Sequence, residues 1–265
     1  MKLFLRCLGC YICLAIIFIL LLPFLLVALY IIRNRKLTQY LGKVWAQIIF
    51  ILVERFVGLT YHLDGFEQIQ KSEVPMIIAS KHQSVWETGA LHIALGEQSV
   101  FIIKKELKQL PIFGQLVTLM GAIAIDRKKP VQAIKHMLDE ARNEVKKNRS
   151  HIIIFPEGRR TAVGEKTDYT DGVYLLYKKL DLPVAAIALN SGIYWPKRHF
   201  LKYPGRIEAK VMEIIPPGLD RDQFRDRLVT AIENGSLELI QSHLYNNFPS
   251  PYQDSMKSDH SLMVQ

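Results

Sequence analysis

The hydrophobic pattern divides the chain into a long apolar stretch, an amphipathic stretch and a body of short alternating segments. From Cys7 to Ile32 no residue carries a charge. At ~1.5 Å per residue, a helix of this length can cross a hydrocarbon core of ~30 Å. A cleavable signal peptide would show a shorter apolar core and a small-residue cleavage site, and neither is evident. The pattern therefore predicts a transmembrane anchor over 1–36.

The stretch 37–57 predicts an amphipathic helix, because its apolar residues recur at spacings of three and four. Those residues are Leu37, Tyr40, Leu41, Val44, Trp45, Ile48, Ile49, Leu52, Val53 and Phe56. Such a helix packs on a soluble domain or lies in the membrane interface. Since it directly follows an apolar span, we expect the interfacial position. The pattern leaves open whether this helix crosses the bilayer or lies along it.

After residue 58 short apolar runs alternate with helix-like stretches. The predicted strands are Met76–Ala79, Val100–Ile103, Ala122–Ile125, Ile152–Phe155, Val184–Leu189 and Ile207–Val211. The predicted helices are Val85–Leu95, Pro111–Met120, Pro130–Lys147, Gly172–Lys179 and Gln223–Leu244. This alternation is typical of an α/β fold with a mostly parallel sheet flanked by helices. We expect one such domain over 58–248 and a disordered polar tail over 249–265.

Positive charge is concentrated at the apolar end of the chain. The formal net charge is +9, and residues 1–57 hold seven basic residues against one acidic residue. Positive charge beside an apolar segment indicates a membrane surface rather than nucleic acid. Basic residues just after the span favour a cytoplasmic body.

Several other classes of site are not predicted. Cys7 and Cys10 have the spacing of redox or zinc pairs, but with Leu and Ile around them we expect inert helix residues. Neither a P-loop nor a dinucleotide-binding glycine motif occurs. No His, Cys or carboxylate cluster has metal-ligand spacing, so no metal site is expected.

Polar residues follow four of the predicted strands at the ends where parallel sheets bind ligands. In chain order these residues are His82 and Glu87, Lys104 and Lys105, Asp126 and Arg127, and finally Glu157, Gly158, Arg159 and Arg160. Alone, such a histidine more often bonds a loop, and such cations are more often solvated. Together they describe a base beside an anion site.

His82 and Glu87 can cooperate only if the histidine precedes the helix. On one continuous helix, five residues would turn the two side chains about 140° apart. With His82 in the strand-to-helix turn and Glu87 in the first helical turn, the carboxylate can orient the imidazole, which is then free to accept a proton. Guanidinium groups at Arg159 and Arg160 suit phosphate binding.

These motifs, in this order, resemble the glycerolipid acyltransferases. The resemblance rests on His82–Glu87, Lys104–Leu107, Gly121–Arg127, Phe155–Thr161 and Val184–Asn190, and it runs from about Gly58 to Trp195. It implies acyl transfer from acyl-carrier protein or coenzyme A to lysophosphatidic acid, giving phosphatidic acid. It also implies a membrane-bound enzyme of the bacterial inner membrane, facing the cytoplasm, with no cofactor.

By the same resemblance, His82 matches the family's general base. Arg127 and Arg160 match its arginines, and Glu157 and Gly158 shape the substrate site. Two positions depart from the family pattern: Glu87 replaces an aspartate, and Arg159 replaces a threonine. The longer carboxylate puts the pair's geometry in question, and the added cation could change which headgroup is accepted. The alternatives are an acyltransferase for another lyso-lipid and a non-catalytic lipid-binding protein.

Overall fold

The computed structural model describes residues 1–165 and 167–244. The α-helices are α1 (Lys2–Val27), α2 (Arg35–Val57), α3 (Phe66–Gln70), α4 (Trp86–Leu95), α5 (Phe113–Leu119), α6 (Pro130–Asn148), α7 (Gly172–Leu180), α8 (Ser191–Tyr194) and α9 (Arg221–Leu244). The strands are β1 (Leu59–Asp64), β2 (Ile77–Ser80), β3 (Ser99–Lys104), β4 (Ile123–Ile125), β5 (His151–Ile154), β6 (Val184–Leu189) and β7 (Gly205–Ile215). A π-helical turn, Ala28–Ile32, follows α1, and a 3-10 segment, Lys105–Gln109, follows β3.

Within the described residues the strands form one sheet in the order β1-β7-β6-β2-β5-β3-β4. Every neighbouring pair is parallel except β6 and β7. The predicted α/β class with a mostly parallel sheet is therefore confirmed. Strands β6, β2 and β5 lie at the centre, and their side chains are buried on both faces. Such strands read as continuous apolar runs, which is why the pattern located them well.

The core forms two layers, one on each face of the sheet. Ile78 packs in the layer that contains α4 and the N-terminal helices. Its neighbour Ile77 packs in the layer formed by α6, α7 and α9. Successive residues of a strand point to opposite faces, so one strand serves both layers.

Helices α1 and α2 form an antiparallel hairpin. Arg33 N–H bonds the Ala28 carbonyl, the residue adopts a left-handed conformation (φ 51°), and the chain reverses direction. Asn34 then caps α2 by accepting the Leu37 N–H at 2.9 Å. Phe18 and Trp45 contact each other across the hairpin, with ring centroids 5.7 Å apart.

The folded domain holds the hairpin at both ends. Near the start of α1, Cys7 is buried and its Sγ lies 3.5 Å from the Lys202 carbonyl oxygen. Near the turn, Arg35 makes two hydrogen bonds, of 2.7 and 2.9 Å, to the Glu144 carboxylate on α6. The hairpin therefore lies lengthwise against the domain.

Among the described residues, one helix is long and apolar enough to cross a membrane, the continuous stretch Lys2–Ile32. The predicted amphipathic helix is observed as α2, but the apolar stripe is not the face that the domain covers. The buried residues of α2 are Thr38, Gln39, Ala46, Phe50, Val53 and Val57, and only Val53 belongs to the stripe. Much of the stripe is half-buried, and Trp45 on it packs against α1.

Strand β1 was missed in the sequence because its segment, Leu-Thr-Tyr-His-Leu-Asp, mixes polar and apolar residues. It is an edge strand with only its first residue buried, so no apolar run marks it. Strand β7 runs from Gly205 to Ile215, longer than the predicted Ile207–Val211, because Arg206 and Glu213 interrupt the apolar pattern although both pair with neighbouring strands. The predicted tail over 249–265 lies outside the described residues, as does the end of the predicted domain at 248.

Candidate active site

The loops after β2 and β5 leave the sheet side by side. The two strands are parallel neighbours, and Ala79 pairs with Ile154. His82 and Glu157 each lie three residues beyond that pair, so the register brings their loops together. The contact is direct: the His82 carbonyl accepts the Thr161 N–H at 2.8 Å, and the Glu157 carboxylate lies 3.4 Å from the His82 amide nitrogen.

The structure places His82 in the strand-to-helix turn and Glu87 in the first turn of α4, as the spacing predicted. The Glu87 side chain is fully buried, and one of its oxygens accepts the N–H groups of Gln83 and Ser84 at 2.5 and 2.7 Å. The same oxygen lies 3.9 Å from His82 Nδ1. Two backbone donors thus hold the carboxylate near the imidazole, but 3.9 Å is longer than a hydrogen bond, and His82 Nδ1 has no hydrogen-bond partner among the described residues. Nε2 is the other ring nitrogen.

The imidazole ring is held by stacking on an aromatic side chain. His82 and Phe155 stack with their centroids 3.9 Å apart and their planes 14° from parallel. Phe155 is the residue directly after β5, so the second loop supplies the surface on which the histidine of the first loop rests. The His82 side chain keeps 17% of its surface exposed, which leaves the base reachable.

Burial shifts the two titratable groups in opposite directions. Burial, followed by the charges of Arg160, Lys197 and Arg127, lowers the pKa of His82 to about 3. Burial raises the pKa of Glu87 to about 7 against the N–H donors that favour the carboxylate. The imidazole is therefore neutral at neutral pH, which is the state a general base needs.

A buried ion cluster lies behind the base. Lys81 Nζ is 3.0 Å from Glu157 and 2.8 Å from Glu233 of α9, and the lysine side chain is 3% exposed. Tyr169 donates to Glu233 at 2.6 Å, and Thr161 donates to Glu157 at 2.6 Å. Burial raises the pKa of Glu157, and the neighbouring Lys81 opposes that rise. The cluster ties the two site loops to the C-terminal helix.

Three cations contribute to the low pKa of His82, and the sequence predicted two of them, Arg127 and Arg160, as site residues. The third is Lys197, in the loop after α8, whose Nζ donates to the Arg160 carbonyl at 2.6 Å. It was missed because it lies beyond the last motif and eight residues past the end of β6. The only sequence signal is its position in a loop at the same edge of the sheet.

The other predicted binding residues lie farther from the imidazole or have partners of their own. Arg159 is exposed and pairs with Glu165 at 2.5 Å, so its charge is compensated. Lys105 pairs with Asp126 at 3.5 Å, and Lys104 is exposed at the end of β3. Their roles remain predictions.

Gly158 turns the second loop beneath Arg127. Its φ is +69°, and a Cβ there would lie 3.9 Å from the Arg127 guanidinium. Among residues 1–165 and 167–244, no group of three or more His, Cys, Asp or Glu side chains could hold a metal ion.

Comparison with known proteins agrees with this arrangement. The family model described as acyltransferase matches residues 61–190, which include His82, Glu87 and the Phe155–Thr161 loop. The 1-acyl-sn-glycerol-3-phosphate acyltransferase of Pseudomonas aeruginosa is 36% identical over 173 residues, covering 65% of this chain and 66% of that protein. The chain belongs to the acyltransferase family. It is therefore an acyl-transferring enzyme, and the resemblance stated from the motifs is confirmed.

More distant relatives extend the comparison. The human 1-acyl-sn-glycerol-3-phosphate acyltransferase beta is 29% identical over 163 residues, covering 61% of this chain and 58% of that protein. The chain thus spans two thirds or less of the length of both relatives. The crystal structure of the 1-acyl-sn-glycerophosphate acyltransferase from Thermotoga maritima superposes with a TM-score of 0.69 at 20% identity, covering 89% of this chain and 96% of that one. This acyltransferase shares that fold, and its apolar N-terminal helix indicates membrane association.

The ion cluster makes a prediction about stability. Replacing Lys81 with Met leaves the Glu157 carboxylate buried without its counter-ion, so the free energy of unfolding should fall by about 3–5 kcal/mol. Chemical denaturation of the purified protein in detergent measures the loss. The matched control is Arg221→Met, which breaks the exposed pair with Asp171 and should leave stability unchanged. Equal losses in the two variants would contradict a special role for the buried cluster.

Proposed function

We propose that this acyltransferase moves an acyl group from a thioester to the free hydroxyl of 1-acyl-glycerol-3-phosphate, forming phosphatidic acid. The observation that carries the proposal is a neutral imidazole, stacked on Phe155 and 3.9 Å from a buried carboxylate, within the field of Arg127, Arg160 and Lys197. A base beside a cation cluster suits an acceptor that carries both a hydroxyl and a phosphate. The names of the relatives specify the same acceptor.

The proposed step needs one base. The acceptor oxygen attacks the thioester carbonyl while His82 Nε2 takes its proton, and Glu87 stabilises the resulting imidazolium. The carbon–sulfur bond then breaks, the new ester forms, and the departing thiolate takes the proton back from the imidazolium. A positioned base of this kind contributes about 10²- to 10⁴-fold in rate.

The cations have two roles in this proposal. They hold the acceptor phosphate, which places the hydroxyl near the imidazole and makes the attack effectively intramolecular. They also hold the pKa of His82 low while the site is empty. A bound phosphate offsets their charge, so the pKa of His82 rises when the acceptor is in place. The imidazole is then a stronger base at the moment of attack.

The donor is an acyl thioester of acyl-carrier protein or coenzyme A, and every step uses only protein groups and the two substrates. We further propose, in place of the transmembrane anchor that the sequence predicts over 1–36, that the hairpin lies along the cytoplasmic face of a bacterial inner membrane. Support comes from its attachment to the domain at both ends, since the ends of a helix held by one domain do not reach opposite sides of a bilayer. The exposed apolar side chains of α1 include Phe4, Leu5, Leu8, Ile12, Ile16, Ile19, Leu20 and Phe24.

Replacing His82 with Ala tests the base. Turnover of lysophosphatidic acid should fall about 10²- to 10⁴-fold, because the variant loses the positioned group that takes the hydroxyl proton. Folding, followed by circular dichroism, and membrane association should persist. His62→Ala, on the exposed side of β1, is the control and should retain full activity. Normal turnover by the His82 variant would reject the assignment. A wild-type enzyme that acylates only another lyso-lipid would reject the acceptor.

Replacing Lys197 with Met tests the newly recognised cation. The KM for lysophosphatidic acid should rise about tenfold, the effect of losing one charge-assisted contact of about 1.4 kcal/mol. Losing a cation that disfavours imidazolium also raises the pKa of His82, so the acidic limb of the kcat/KM profile should move to higher pH. Lys178→Met, on the exposed side of α7, should change neither quantity. A raised KM with an unmoved acidic limb would place Lys197 outside the electrostatic field of the base.

A further inference from the structure

The turn before α5 carries four apolar residues in succession, Leu110, Pro111, Ile112 and Phe113, and all but Ile112 are exposed. Leu110 is 48% exposed and Phe113 is 42% exposed, while Ile112 is half-buried. A run of exposed apolar residues has a cost in water and indicates a surface that is covered by something else. This apolar turn is unused by the proposed mechanism.

The apolar turn is rigid. Ile112 has φ 62° and ψ −57°, a γ-turn closed by the Phe113 N–H on the Pro111 carbonyl at 2.6 Å. Such backbone is strained for a β-branched residue and persists only when its surroundings impose it. Gly114 allows close backbone packing behind the turn, because a Cβ there would lie 2.0 Å from the Lys108 carbonyl oxygen, and its N–H bonds the Leu110 carbonyl at 2.8 Å. The two apolar side chains are therefore presented by a fixed scaffold.

The apolar turn lies close to the hairpin. Helix α5, only ~10 Å long, contacts both α2 and the π-helical turn Ala28–Ile32. At its C-terminal end, Gln39 of α2 donates to the Met120 carbonyl at 3.3 Å. The π-helical turn itself exposes apolar side chains, with Ile31 at 74%. The apolar surface of the hairpin thus continues towards Phe113.

Positive charge borders the apolar turn. Lys104 and Lys105 are exposed at the end of β3, and half-buried Lys108 follows them on the same segment. Glu106 lies among them and Asp126 pairs with Lys105 at 3.5 Å, so these two carboxylates offset part of the charge of the three lysines. Apolar side chains flanked by lysines are typical of segments that lie in the interface of an anionic bilayer. A purely apolar partner would not match the lysines.

We propose that the apolar turn is a second membrane contact, which inserts Leu110 and Phe113 into an anionic bilayer beside the hairpin. Two separated contacts fix the tilt of the domain, whereas one helical hairpin leaves rotation about its long axis free. The apolar turn follows β3, whose carboxyl end lies at the same edge of the sheet as His82. Insertion of the apolar turn therefore directs the site edge towards the lipid.

Fluorescence quenching tests the contact without any need for turnover. The full chain carrying Phe113→Trp is reconstituted in phosphatidylglycerol–phosphatidylethanolamine vesicles with brominated acyl chains, and the emission of the parent protein is subtracted. The control is Val74→Trp, which is 50% exposed and lies before β2 at the opposite edge of the sheet. We expect the emission at 113 to be blue-shifted and strongly quenched. Quenching at 113 no greater than at 74 would overturn the proposal.

A kinetic comparison separates the bilayer from the acyl chain of the acceptor, and this arm rests on the proposed function. Phe113→Asp should raise the KM for lysophosphatidic acid in vesicles about tenfold, as expected for the loss of one buried aromatic anchor. It should leave the KM for a monomeric short-chain acceptor unchanged, and Val74→Asp should alter neither value. An equal rise for both acceptors would show that the apolar turn binds the acceptor chain and would overturn the proposal. Because quenching needs no substrate, failure of the proposed function leaves that first result interpretable.

Discussion

The site depends on one fully buried carboxylate. Glu87 is removed from water at the start of α4, and the N–H groups of Gln83 and Ser84 replace the hydration that it loses. Those donors exist only because the chain turns sharply between β2 and α4, so the same turn that places His82 also holds its partner. Glu87, which stands where the family pattern has an aspartate, makes these two hydrogen bonds to the backbone and none to the imidazole. The imidazole still lies 3.9 Å away, and Phe155 fixes its plane.

The membrane hairpin is part of the same construction. Phe50 of α2 stacks on Trp86 of α4 with centroids 5.7 Å apart, and Gly89 leaves room for the Phe50 ring. Helix α4 therefore follows the turn that carries His82, and its side packs against the hairpin. Any displacement of α2 reaches the turn that carries His82 through two aromatic rings. The hairpin and the helix that carries Glu87 are therefore packed directly against each other.

The sequence specified the central strands and the site loops because continuous apolar runs and charged residues at strand ends are local signals. Strand β1 was not predicted, because an edge strand with little burial needs no continuous apolar run. Lys197 was not predicted as a site residue, because its position beside Arg160 depends on the path of the loop after α8 and not on any sequence spacing. The contact between Lys81 and Glu233 could not be predicted either, since Glu233 lies 152 residues further along the chain, on α9. Tertiary contacts of this kind have no periodicity for a pattern to reveal.

The contact between Cys7 and the loop at Lys202 joins residues 195 apart in the chain. Synthesis from the N-terminus delivers the most apolar segment first, and its resting place on the domain does not exist until most of the chain has left the ribosome. In the interval the hairpin must be sheltered by lipid or a chaperone. Long-range closure of this kind is slow. During biogenesis, folding of the domain therefore competes with aggregation of α1.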